Sequence, residues 1–277
     1  MSHSEGISII VRTRRTDYHG DIARICDQVT APAELIVVGE GVGQRAIPSN
    51  SLVAVKPIET SVGRFEAMRI GIYNSQYESV LFLDNDQVIE PGLLEELRTK
   101  QEDAVIIPER SLNRNLVGRL MDLKRSYLEE LAKDHPHPEI PVIPRFYKKR
   151  ILDRAFEQLP LETLQTVTQH EDSILYREAY DSCRKLSMSR KRIFNQDPDL
   201  FSFVRKAYIY GKANETALSS GRLTSSQAGF IRTLDRNRIL YDRRVGFNPG
   251  LTIDLLKGIP YAAGSLSYKV EDLFRKA

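Results

Sequence analysis

Asp84 and Asp86 flank Asn85 where an apolar run ends, in VLFLDNDQVIEPG (80–92). Two carboxylates so placed repel one another and resist desolvation unless something positive lies beside them. As hard oxygen ligands at a strand end they suit Mg²⁺ or Mn²⁺, ions commonly shared with substrate phosphates. Asp and Asn at this spacing also serve ordinary turns, so the pattern by itself leaves both readings open. A second acidic pair, Glu171–Asp172, follows His170 in HEDSILYRE (170–178). Ile174, Leu175 and Tyr176 give this segment the apolar bulk of a helix, at whose N-terminus negative side chains are favoured by the dipole alone. His170 reads as a surface histidine and Arg177 as a salt-bridge partner.

The elements around these residues follow from hydrophobic patterning. ISIIVRT (7–13) and ELIVVG (34–39) are short apolar runs rich in β-branched residues, as parallel strands are. Ile22, Ile25 and Val29 repeat between them at helical spacing. LVAV (52–55) is a third strand, and Phe65, Met68 and Ile72 lie on one face of the helix after Gly63. The run ending at Asp84 is a fourth strand. Pro91 is expected in the first turn of a helix bearing Leu93, Leu94 and Leu97, and AVIIP (104–108) is a fifth strand. Such alternation predicts an α/β fold with a mostly parallel, doubly wound sheet. Ligands of such sheets sit outside the carboxyl ends of the strands, and Thr13, Glu40 and Asp84–Asp86 all fall on that one rim. Beyond residue 110 the pattern is mainly helical.

The chain of 277 residues, 41% hydrophobic and 28% charged, has the composition of a folded globular protein rather than a disordered one. No apolar run reaches the roughly 18 residues of a membrane span. The opening MSHSEGISII lacks the basic region and apolar segment of a secretory signal. Cys26 and Cys183 lie far apart, fit no metal-ligand spacing and suit a reducing compartment. A cytoplasmic protein is expected. The formal charge of +3 conceals an asymmetry: residues 181–277 carry 18 Lys/Arg against 9 Asp/Glu, and residues 1–180 carry 22 against 28. Arg190, Lys191, Arg192, Arg232, Arg236, Arg238, Arg243 and Arg244 crowd the back end. They suit either a solvated helical surface or peripheral contact with anionic lipid. No nucleic-acid motif accompanies them, so no nucleic-acid partner is expected.

ISIIVRT, ELIVVGEG, GRFEAMRIGI, VLFLDNDQVIEPG, RFYKKRIL, HEDSILYRE and FVRKAYIYGK occur in an order that resembles the family-2 glycosyltransferases, over roughly residues 6–215. The resemblance implies a GT-A fold over 1–185, with 186–277 a basic, mainly helical region packed on it. It implies that Thr13 and Glu40 border the nucleotide, that Asp84, Asn85 and Asp86 hold a nucleotide-diphosphate sugar, and that Asp84 and Asp86 hold its metal. It puts the catalytic base in the Glu171–Asp172 pair. Asp172 would take the acceptor hydroxyl's proton, and Glu171 would orient acceptor or metal. Where many relatives carry a further metal-binding histidine this chain has Asn195, with Asp197 two residues on. The implied activity is metal-dependent, inverting transfer to a glycan or lipid-linked acceptor. Two rival readings are a non-catalytic, membrane-associated nucleotide-sugar-binding module and a nucleotidyltransferase. The latter normally has a glycine-rich loop after its first strand, and RTRRTDYHG lacks the glycines.

Overall fold

The computed structural model describes residues 6–13, 19–29, 32–42, 52–134, 136–140, 142–167, 170–219, 224–233 and 254–276. They fall into two compact units that interleave along the chain. The first comprises Met1–Arg110, Ile143–Pro160 and Leu175–Asn195; the second comprises Ser111–Val142, Leu161–Ile174 and Gln196–Ala277.

The first unit holds a seven-stranded sheet in the order β3-β2-β1-β4-β8-β6-β9. Its strands are β1 (Ile7–Thr13), β2 (Ala33–Gly39), β3 (Val53–Glu59), β4 (Ser79–Asp84), β6 (Ala104–Ile106), β8 (Pro144–Lys148) and β9 (Leu186–Met188). β1, β2 and β3 pair in parallel, as do β1 and β4, so Thr13, Gly39, Glu59 and Asp84 end at one rim. β8 alone runs antiparallel, set between β4 and β6. The expected α/β architecture with a mostly parallel sheet is the one observed.

β1 and β2 are buried along their whole length because helices cover both faces. On one face Ile9, Val11, Leu35, Val37, Leu81 and Leu83 form a core with Ile22 and Ile25 of α1 (His19–Gln28) and Leu93, Leu94 and Leu97 of α3 (Leu93–Thr99). On the other lies α2 (Arg64–Tyr73), whose Gly71 allows close approach to the Ile10 side chain. Phe65 of α2 meets Phe156 of α5 (Lys149–Gln158) edge to face, with ring centroids 5.7 Å apart. Pro91 differs from expectation: Gly92, at φ +83°, breaks the chain first, so α3 begins at Leu93 and Pro91 stays in the preceding turn. A small second sheet, ordered β5-β10-β7, joins β5 (Gln87–Ile89), β7 (Glu109–Ser111) and β10 (Ile193–Asn195).

The second unit is helical among its described residues. It contains α4 (Leu116–Asp134), α6 (Leu161–Thr166), α8 (Leu200–Ser219), α9 (225–233) and α10 (Ile259–Lys276), the last preceded by a π-helical turn at Asp254–Gly258. α8 and α10 pack closely because Gly211 and Gly264 present no Cβ to the opposing carbonyls of Tyr261 and Tyr208. α7 (Glu171–Tyr180) opens in this unit and continues in the first. Among the described residues no helix is long and apolar enough to cross a membrane.

Candidate active site at the carboxyl ends of the strands

Strand register alone brings the rim residues together. Thr13 closes β1 opposite Gly39, and it is buried. The strands approach so closely there that a Cβ on Gly39 would stand 1.9 Å from the Thr13 carbonyl oxygen. Glu40 follows in an exposed turn. The Gly41 amide donates to Glu59 Oε1 at 2.6 Å, fixing that turn to the end of β3. Asp84 ends β4, while half-buried Asn85 and Asp86 form the turn into β5.

The positive charge that Asp84 needs comes from arginine. Arg64 Nη2 donates to Asp84 Oδ1 at 2.8 Å and Arg12 Nη2 to the same oxygen at 3.1 Å. Arg145 Nη2 stands 3.5 Å from Oδ2. Burial pushes the Asp84 carboxyl up, but Arg145, Arg12 and Arg64 together outweigh it and hold it well below the ordinary aspartate range. Arg12 and Arg145 are buried and Arg64 is one-third exposed.

A closed ring of polar contacts supports this cluster. The Asp84 amide donates to Gln87 Oε1 at 2.9 Å, and Gln87 Nε2 donates to Asn195 Oδ1 at 2.7 Å. Asn195 Nδ2 donates to Glu109 Oε2 at 2.9 Å, and Arg145 Nε donates to Glu109 Oε1 at 3.0 Å. Arg145 returns the ring to Asp84. Within this ring three guanidiniums thus face two carboxylates, while Glu40, Glu59 and Asp86 add negative charge elsewhere on the rim. Helix α2 adds its N-terminus at the same end of the sheet, since it follows β3 directly. The arrangement is suited to anionic oxygens.

A divalent ion fits one member of the Asp84–Asp86 pair better than the other. Both Asp84 oxygens already face guanidiniums, which resist a further cation at that carboxylate. Asp86, in the turn, has the chemistry for the role. A metal shared with phosphates needs only one or two protein carboxylates, so a larger cluster is not required. Among the described residues no group of three or more His, Cys, Asp or Glu is gathered as a metal site. Asn195 belongs to the ring above. Asp197, in the second unit, is buried and takes both Arg125 guanidinium nitrogens, at 2.7 and 2.9 Å.

Glu171 and Asp172 form the first turn of α7, with Glu171 buried and Asp172 half-buried. His170 is buried rather than on the surface, and it alone among described non-glycine residues has positive φ, 67°. Its carbonyl accepts the Ile174 amide at 2.8 Å, so the left-handed residue turns the chain directly into the helix. The acidic pair therefore opens a helix whose entry is conformationally costly, a feature that concentrates at functional positions.

The sequence pattern does not single out Arg12, Arg64, Arg145, Gln87 or Glu109 as site members. Asp84's demand for a positive partner pointed to basic residues, and three of the quoted stretches, ISIIVRT, GRFEAMRIGI and RFYKKRIL, contain the arginines concerned.

No protein-family model matches the chain, and no curated protein does. Solved structures do. Residues 1–349 of S. aureus TarS match at TM-score 0.50 and 15% identity, over 87% of this chain and 74% of that one. The same TarS segment in complex with UDP matches at TM-score 0.53 and 16% identity, over the same shares. A longer TarS chain matches at TM-score 0.50 and 15% identity, over 87% of this chain and 44% of its own length. At these identities the likeness establishes a shared fold.

Proposed function

We propose that this chain is a glycosyltransferase that moves a sugar from a nucleoside-diphosphate sugar to an acceptor hydroxyl. The observation that carries the reading is the arginine-rich rim around Asp84, placed where ligands of parallel sheets bind. The ordered motifs resembling family-2 enzymes support it, and the fold shared with a UDP-bound TarS structure favours a uridine nucleotide. Thr13 and Glu40 border the nucleoside, and Arg64, the most exposed arginine of the cluster, faces the diphosphate. Asp84 acts through the arginines it positions.

Asp172 accepts the proton of the acceptor hydroxyl as that oxygen bonds to the anomeric carbon. The bond from that carbon to the diphosphate oxygen breaks, and its electron pair leaves with the diphosphate. A single displacement of this kind inverts the anomeric centre. Asp86 would hold a Mg²⁺ or Mn²⁺, which when bound would supply Lewis-acid stabilisation of the leaving group. Glu171 orients the acceptor, a glycan or a lipid-linked saccharide. Exposed Phe201, Leu266 and Phe274 in the second unit support peripheral contact with a membrane at the cytoplasmic face, and exposed Arg190 and Arg192 in the first unit separately suit anionic lipid. Arg236, Arg238, Arg243 and Arg244 lie outside the described residues.

Asp172→Asn tests the reading: donor binding persists while turnover falls about 10²–10⁴-fold, the usual contribution of a positioned base. A helix-capping role alone predicts normal turnover per folded molecule with a stability loss of about 0.5–2 kcal/mol.

A further inference from the structure

At the opposite end of the same sheet lies a second concentration of positive charge. Asp103, Arg150, Arg154, Arg184 and Lys185 line a cavity of about 450 Å³. Register fixes its place: Lys148 pairs with Ser79 at the start of β4, and Ala104 pairs with Leu186 at the starts of β6 and β9. β4 separates this end from Asp84 by about 17 Å, at roughly 3.3 Å per residue. The cavity is therefore distinct from the rim site, and the inference drawn from it does not depend on the proposed function.

The single carboxylate in the cavity is fully committed. Asp103 Oδ1 accepts from Arg150, and Oδ2 accepts the backbone amides of Arg184 and Lys185 at 2.8 and 3.1 Å. It holds two segments in place, β9's approach and the start of α5, and thereby converges their cations. Arg154, Arg184 and Lys185 are exposed, and no carboxylate among the described residues stands within ion-pair distance of them. Lys148 nearby is pushed below the usual lysine range by burial first and then by Arg150, against the opposing pull of Glu102, Asp103 and Glu78. Arg150 is paired with Asp103, and water screens the repulsion among the exposed Arg154, Arg184 and Lys185, so the cavity offers three solvated cations to an external anion. A concavity with planar guanidinium forks matches phosphate oxygens, which such forks bind two at a time.

We infer that the cavity lined by Arg150, Arg154, Arg184 and Lys185 binds a phosphate group, either free in solution as phosphate or diphosphate or on a lipid headgroup. The test uses the full chain, with pyrophosphate as the soluble probe and phosphatidylglycerol vesicles against phosphatidylcholine vesicles as the membrane probe. The variants are Arg154→Gln with Arg184→Gln, and separately Arg64→Gln at the rim. Saturable pyrophosphate binding by calorimetry, kept in Arg64→Gln and weakened by about tenfold or more per arginine in the double variant, supports a free phosphate ligand. Sedimentation with phosphatidylglycerol vesicles only, lost in the double variant, supports a headgroup ligand. The double variant should melt no lower than the parent without probe, since it removes exposed, mutually repelling charges. Absence of binding in both arms, or binding that the double variant retains in full, overturns the inference.

Discussion

Asp84→Asn removes a negative charge on which Arg12, Arg64 and Arg145 converge while keeping the side chain's shape. Breaking a fully buried ion pair from one side costs about 3–5 kcal/mol, because it leaves the partner charge uncompensated. Asp84 is 25% exposed and Arg64 34% exposed, so water recovers part of that loss. A destabilisation of about 2–3 kcal/mol at pH 7 follows, on that discount from the buried-pair figure. The pH dependence carries the sharper signature. The folded carboxyl is held below its ordinary value, so its stabilising effect is complete above the unfolded value, about 3.9. It is lost as pH falls through the folded value. The gap between parent and variant should therefore be full at pH 7, begin to close near about pH 5 and continue closing towards pH 2. Urea denaturation of both proteins at a series of pH values measures it. A gap that is absent at pH 7, or constant from pH 7 to 3, would refute the arginine cluster as the source of Asp84's shift.

Gly39→Ala places a methyl group 1.9 Å from the Thr13 carbonyl oxygen and forces β1 from β2 at the rim. We expect a loss of about 1–3 kcal/mol by denaturant unfolding; an unshifted midpoint would contradict the close approach. The Cys183 thiol is pushed up to about 12 by burial and then by Asp103, and Cys26 is raised by burial and then by Asp27. Native protein at pH 8 should resist iodoacetamide at both cysteines and label at both in denaturant, and rapid native labelling would overturn this.

The parts of the fold that follow from local patterning were legible in the sequence. β1 and β2 are continuous apolar runs since both their faces are covered, and their observed bounds match the runs closely. β8 was hidden because Pro144, Arg145 and Lys148 give it no apolar run; only its antiparallel pairing with β4 and β6 makes it a strand. The same cause hid much of the site. Asp84 announced its need for a positive charge, but tertiary register selects Arg12, Arg64 and Arg145 among 40 basic residues. Asn195 stands where the family resemblance implies a metal-binding histidine, and its position opposite Gln87 in β10 explains its amide, which bridges Gln87 and Glu109. His170 looked like a surface residue because neither its burial nor its left-handed backbone has a local signal.

The central claim is that the rim around Asp84 holds a nucleoside diphosphate. Titration of UDP into the full chain by calorimetry, with and without Mn²⁺, tests it most directly. The account predicts saturable binding that Mn²⁺ strengthens, lost in Arg64→Gln and no longer metal-dependent in Asp86→Ala, with both variants folded. Failure of the parent to bind any nucleoside diphosphate, or unchanged metal-coupled binding in both variants, would contradict it.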